Sequence, residues 1–221
     1  MTDQGATVRN PAPESFFDRA RARLTFTVPP ALADPLAHSS RGDLDLNPTM
    51  WERAGVMATK PAAVLIPIVD RSEPMVLFTI RTTELASHAG QVAFPGGKID
   101  RQDDSPVAAA LREAREEIGL APSLVEPLGY LDLYLTFSGF RIVPTVARVD
   151  PDFTLALNPR EVMEAFEVPL AFLMKPANHQ LKSGDWRGVR REFYAIPFEN
   201  RYIWGITAGI VRNLYDRVCG P

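Results

Sequence analysis

The chain has 221 residues, 46% hydrophobic and 23% charged, with a formal net charge of -3. These proportions exclude a disordered chain and describe an ordinary globular protein, whose core can remove roughly 70% of the unfolded surface from water without disulfides or a structural metal. The longest apolar run, Ala62 to Val69, is too short for a membrane span, no Lys/Arg run forms a nucleic-acid stripe, and Cys219 is alone behind an N-terminus without a secretory pattern. A cytoplasmic protein with neither membrane nor nucleic-acid partners is therefore expected.

Residues 1–58 are rich in Pro, Ala, Asp and Arg and read as an N-terminal extension packing on a core formed by 59–221. One short helix is predicted over Glu14 to Leu24, where Phe16, Phe17, Ala20 and Leu24 recur at helical spacing. The pattern then turns to strands. Ala62 to Val69 and Met75 to Arg81, joined by Asp70-Arg71-Ser72-Glu73-Pro74, predict a hairpin, and a shorter strand at Gln91 to Phe94 runs into Pro95-Gly96-Gly97. A long helix follows from Ser105 to Ile118, with Ser105 as N-cap, Pro106 at the first helical position and Gly119 as its stop.

Further strands are predicted at Leu128 to Leu135, Arg141 to Arg148 and Ala165 to Val168, then a short helix near Leu170 to Met174 and a hairpin from Val189 to Ile203. The last element is an amphipathic helix, Ile206 to Val218, with Ile206, Ile210, Val211, Leu214 and Val218 on one face. Two main helices among many strands predict an α/β sandwich, helices covering a mixed β-sheet.

The chemistry is concentrated around the long helix. Glu113, Glu116 and Glu117 stand at i, i+3 and i+4, so three carboxylates project within reach of one ion. Without a cation they would repel one another and raise one another's pKa values. Magnesium, which takes oxygen ligands and bridges carboxylates to phosphates, is the natural partner. Ala108, Leu111, Ala114 and Ile118 supply a separate apolar stripe. Arg112, one turn before Glu116, is placed to hold that carboxylate. The Gly96-Gly97 pair permits close backbone approach, so a carbonyl there is expected to face the metal. An isolated Arg-Glu-x-x-Glu-Glu string would be an ordinary solvated helix face. Its company here is a Phe-Pro-Gly-Gly turn, an acid at Asp104 and a terminal Gly-Leu pair.

Taken together, Gly97 to Leu120 resembles the signature of the Nudix hydrolase family: a glycine, a spaced glutamate, then Arg-Glu-aliphatic-x-Glu-Glu-x-Gly-aliphatic. Asp104 stands where the isolated glutamate is expected, separated from Gly97 by six residues rather than five, and Ala114 is a small form of the aliphatic position. Upstream, Leu77 to Thr82, Gly90 and Phe94-Pro95-Gly96-Gly97 are similar to the additional motif of the coenzyme A pyrophosphatase subfamily, with Ala86 where that motif has an arginine. Ser87 to Val92 and Ile203 to Gly209 share that likeness, which covers most of residues 60–218.

The resemblance implies a Nudix-type α/β/α sandwich and hydrolysis of the coenzyme A pyrophosphate to adenosine 3′,5′-bisphosphate and 4′-phosphopantetheine. Mg²⁺ or Mn²⁺ would be held by Glu113, Glu116, Glu117 and Gly97, with Arg112 as a supporting catalytic-site residue. Gly96 is placed on the substrate side of that loop. Arg81, Lys98 and Arg141 are phosphate partners by charge, Arg81 foremost. Phe140 is the aromatic chosen to stack an adenine, ahead of Phe137, Trp186 and Trp204. The base stays open among Glu116, Glu117 and the later acids Glu161, Glu164 and Glu167. Another nucleoside diphosphate derivative, such as ADP-ribose or a dinucleoside polyphosphate, is the alternative substrate, and a catalytically silent binding module the alternative class. The expected assembly is a monomer or homodimer. His38, His88 and His179 are too scattered for a zinc site, and Arg187 to Arg191 reads as a charge-guarded hairpin edge.

Overall fold

The computed structural model describes residues 14–34, 41–48, 60–83, 90–186 and 188–220, with Trp186 described by its backbone only. Among the described residues the chain forms a mixed nine-stranded sheet between helical layers, with a separate three-stranded antiparallel sheet. Its centre is a parallel pair. Strand β2 (Lys60–Val69) lies beside β8 (Phe140–Val149) in continuous register from Lys60↔Phe140 to Val69↔Val149. The period of two sends Ala63, Leu65 and Val69 to one face and Ala62, Ile66 and Ile68 to the other. Helix α1 (Phe16–Arg23) buries Phe16, Phe17 and Ala20 in the second of these cores, as its spacing predicts.

The expected hairpin between β2 and β3 (Met75–Arg81) is realised only next to its turn, at Ile68↔Val76 and Val69↔Met75. Beyond that point the strands splay. Leu65 N–H donates to the Pro95 carbonyl at 2.8 Å, and β5 (Gly96–Lys98) takes over the edge of β2. Just before it, β4 (Val92–Ala93) pairs with the end of β3. The single strand read at Leu128 to Leu135 is two, β6 (Val125–Tyr130) and β7 (Tyr134–Leu135), both antiparallel to β8. The two-residue β1 (Arg41–Gly42) runs parallel to β7.

Helix α2 (Pro106–Ile118) begins as expected: the Ser105 hydroxyl accepts from Ala108 N–H at 3.1 Å, satisfying one of the helix's orphan donors. It ends on Gly119 at φ 72, whose N–H donates to the Arg115 carbonyl at 3.0 Å. The buried stripe differs from the predicted one. Ala109, Ala110, Ala114 and Ile118 are buried while Ala108 and Leu111 are only half-buried, which turns Glu117 onto the core side.

Strand β9 (Val162–Pro169) pairs with β3 and extends further towards the site than the Ala165 to Val168 expectation. The short α3 (Leu170–Leu173) follows. Strands β10 (Gln180–Trp186), β11 (Val189–Phe198) and β12 (Arg201–Trp204) form the small sheet. The last two are the predicted hairpin. Residues 180–185 are all exposed, so β10 carries no apolar alternation to read. Helix α4 (Ile206–Leu214) continues as a π-turn over Tyr215–Cys219 and closes the α1 side of the sheet. Among the described residues no helix is long and apolar enough to cross a membrane.

Candidate active site

The two glycines after Pro95 bring β5 and α2 into contact. A Cβ on Gly96, at φ 156, would lie 2.4 Å from the Ala63 carbonyl of β2. On Gly97 it would lie 2.5 Å from the carboxylate of Glu113. Only glycine lets the helix lay that acid directly over the strand.

Arg112 is the hub of the loop. Its Nε and Nη2 each donate to Asp103 at 3.0 Å as a bidentate pair, and Nη2 also reaches the Lys98 carbonyl at 3.1 Å. Nη1 donates to Glu113 at 2.9 Å and to Glu116 at 3.2 Å. These bonds, foremost that to Asp103, raise the Arg112 pKa, and the same contact lowers that of Asp103. The brace of the loop is therefore Asp103, whereas Asp104 is exposed. Five intervening residues after Gly97 lead to Asp103, whereas seven intervening residues back from Arg112 lead to Asp104. With one extra residue in the loop the two counts disagree, and comparing them was the signal available.

The three glutamates occupy different environments. Glu117 is 3% exposed; it accepts from Gly96 N–H at 3.2 Å and has Arg81 Nη1 3.8 Å away. Burial pushes its carboxyl up to about 7, against the pull of Gly96 N–H and Arg81. Glu113 is raised in the same direction, again by burial first, with the Arg112 contact opposing. Glu116 lies on the outer side of the helix, its side chain 56% exposed and paired with Arg112. Among the described residues no three acidic, histidine or cysteine side chains are already drawn into a ligand set.

Arg81 reaches this corner because alternation along β3 puts Leu77, Thr79 and Arg81 on the α2 face. Of the three later acids, Glu161 bears on the cluster, its charge raising the pKa of both Glu113 and Glu117. Glu164 is paired with Arg201, and Glu167 is held by Arg71 at 2.7 Å.

The remaining expected participants make other contacts. The Lys98 side chain is exposed on β5, and only its carbonyl enters the Arg112 network. Phe140 packs against the core on the sheet face away from α2, with the Lys60 ammonium 5.3 Å from its ring centre. Arg141, named for phosphate, is 2% exposed and donates to the Ala31 carbonyl. Phe137 stacks on Arg191, and Trp204 packs edge-on against Phe193. His179 is buried and bonded to the Leu173 carbonyl at 2.6 Å. His38, Ala86, Ser87, His88, Ala89 and Arg187 lie outside the described residues.

The glycine-anchored carboxylate helix agrees with comparison to known proteins, where the model of the NUDIX domain matches residues 59–191. This chain belongs to the Nudix hydrolase family. A Nudix hydrolase named NudL from Yersinia enterocolitica, described as uncharacterized, is 44% identical over 157 residues, 71% of this chain and 80% of its own. Its namesake from Escherichia coli is 42% identical over 155 residues, 70% of this chain and 81% of its own. Among solved structures, the Nudix hydrolase RenU of M. smegmatis aligns with a TM-score of 0.43 at 20% identity, covering 51% of this chain and 71% of that one. As a Nudix hydrolase, the chain acts on nucleoside diphosphate derivatives, in a family that generally uses divalent metal ions such as Mg²⁺ or Mn²⁺.

Proposed function

We propose that this enzyme cleaves the pyrophosphate of coenzyme A or a derivative, releasing adenosine 3′,5′-bisphosphate and 4′-phosphopantetheine. The observation that carries this reading is Arg81, the basic residue of the subfamily-like motif, standing 3.8 Å from the buried Glu117. A cation beside the carboxylate helix is where a pyrophosphate would have to lie.

The residues present fit a hard divalent cation. Glu113 and Glu117 are shielded carboxylates whose charge is only partly met by hydrogen bonds, the ligand atoms they offer are all oxygens, and Glu116 is on the adjoining turn. Glu113, Glu116 and Glu117 would hold Mg²⁺ or Mn²⁺, with the Gly97 backbone alongside. When bound, that ion supplies positive charge to the pyrophosphate and acidifies water.

The chain's own part is positioning and proton transfer. Arg112 fixes Glu113 and Glu116, and Arg81 binds a phosphate oxygen. Glu161 serves as base: it takes a proton from water as the water oxygen attacks phosphorus, and the bridging P–O bond breaks with its electrons leaving on the departing phosphate. Glu164 and Glu167 are already engaged by arginines.

The test is product identification by mass spectrometry after incubation with coenzyme A, its dephosphorylated form and ADP-ribose, with Mg²⁺ or Mn²⁺. Preferred cleavage of coenzyme A is expected. Faster turnover of ADP-ribose would move the substrate to another diphosphate, and cleavage of none would leave a binding module.

A further inference from the structure

Just before β9, and against the end of α2, the chain turns around Asn158. Its main-chain N–H donates to the Glu117 carbonyl at 2.8 Å, and its own carbonyl accepts from Glu161 N–H at 3.0 Å and Val162 N–H at 2.8 Å. The side chain divides its two ends. Oδ1 accepts from Arg160 N–H at 3.2 Å, closing the turn, while Nδ2 donates to Glu161 Oε1 at 3.1 Å.

From the other side, Thr82 N–H donates to the Glu161 carbonyl at 3.0 Å. The adjoining ladder shifts register, with Ile80 opposite Glu164 and Arg81 opposite Val162, so Met163 is the extra residue of a bulge. A bulge re-aims the residues at the end of its strand. Asn158 thus touches the backbone of one site acid and the carboxylate of another.

We infer that Asn158 is a positioning residue, whose amide holds the Glu161 carboxylate beside Glu113 and Glu117. The inference rests on the proposed hydrolysis only for its effect on rate. Three acids repel, so Glu161 without a donor would swing towards solvent. A neutral amide opposes this without forming an ion pair that would weaken a base, and an asparagine has both the donor and the acceptor that the turn requires.

Asn158→Asp separates these two duties. It keeps the acceptor that closes the turn and replaces the donor facing Glu161 with a second acceptor. The expected result is a kcat about 10- to 100-fold lower with KM little changed, as for other residues that orient a site from behind. The melting temperature should stay within a few degrees of wild type. In a Glu161→Gln background the same substitution should have no further effect, because both changes act through one carboxylate. Wild-type turnover by Asn158→Asp, or a full additional loss in the Glu161→Gln background, would overturn the inference. Crystal structures of wild type and Asn158→Asp give a readout independent of turnover. Glu161 should leave its place in the variant, and an unmoved carboxylate also sinks the proposal. If wild type cleaves no diphosphate, the proposed function fails while the structures still decide the role of Asn158.

Discussion

Arg81 at the end of β3 stands 3.8 Å from Glu117 near the end of α2, so two elements distant in sequence share one corner of the site. With a phosphate present, a guanidinium there gains a charge-assisted partner. Arg81→Ala is expected to raise KM for coenzyme A about tenfold, equivalent to about 1.4 kcal/mol, with kcat within about threefold of wild type. Steady-state kinetics check this, and an unchanged KM would remove Arg81 from substrate binding.

Glu117 is an ionisable group at 3% exposure, and its burial costs folding energy unless a cation offsets the charge. Glu117→Gln should abolish metal-dependent turnover and leave the fold intact, melting no lower than wild type at pH 8 with chelator. Adding Mg²⁺ should raise the melting temperature of wild type and not of the variant. Retained turnover would take Glu117 out of the metal site.

Gly97 carries no side chain where a Cβ would come within 2.5 Å of the Glu113 carboxylate. In Gly97→Ala the collision is expected to push Glu113 aside, lowering turnover about 100-fold. Overpacking should cost about 1–3 kcal/mol in denaturant unfolding. An alanine variant with native activity would show that Glu113 need not lie over β5.

Asp103 and Asp104 are adjacent in sequence, and only Asp103 makes the bidentate contact with Arg112, at 3.0 Å. Asp103→Asn should lower kcat about tenfold or more by loosening Arg112, while Asp104→Asn should stay within about twofold of wild type. The reverse order of effects would restore Asp104 as the brace.

His179 has its Nε2 on the Leu173 carbonyl at 2.6 Å and its Nδ1 buried without a partner, so a second proton would bury an unmatched charge. Burial accordingly lowers its pKa from 6.5. The unfolded chain takes up this proton first. Its contribution to stability is complete above about pH 6.5 and is lost as the pH falls below that value. His179→Gln, which keeps a donor for Leu173, should flatten the fall in stability between about pH 6.5 and 5 in urea titrations. An unaltered slope would exclude His179 as the cause.

Much of this was legible because it is local. The limits of α2 follow from Ser105, Pro106 and Gly119, whose cap geometries depend on their immediate neighbours. The i, i+3, i+4 spacing of Glu113, Glu116 and Glu117 required only helical geometry, as did the docking face of α1. What misled was equally specific. Ala108 and Leu111 continue an apolar stripe on paper, but packing on the sheet selects Ala109, Ala110 and Ala114 and draws Glu117 inward. The β2–β3 hairpin was sound at its turn, yet nothing in either strand announces that β5 will separate them. Arg141 has the charge to bind a phosphate, and its burial is a property of the fold around it.

The order of residues determined that an acid-bearing helix follows a double glycine and that this helix has marked ends, because caps, turns and helical periodicity act over a few positions. Tertiary structure decided which acids share a site, since that depends on strands brought together from far apart. Arg81 and Glu161 come to Glu117 at the end of the β3–β9 ladder, whereas Glu164 and Glu167, on β9 itself, face arginines. The choice of Asp103 over Asp104 was settled in the same way, by where the Arg112 guanidinium comes to rest once α2 lies against β5.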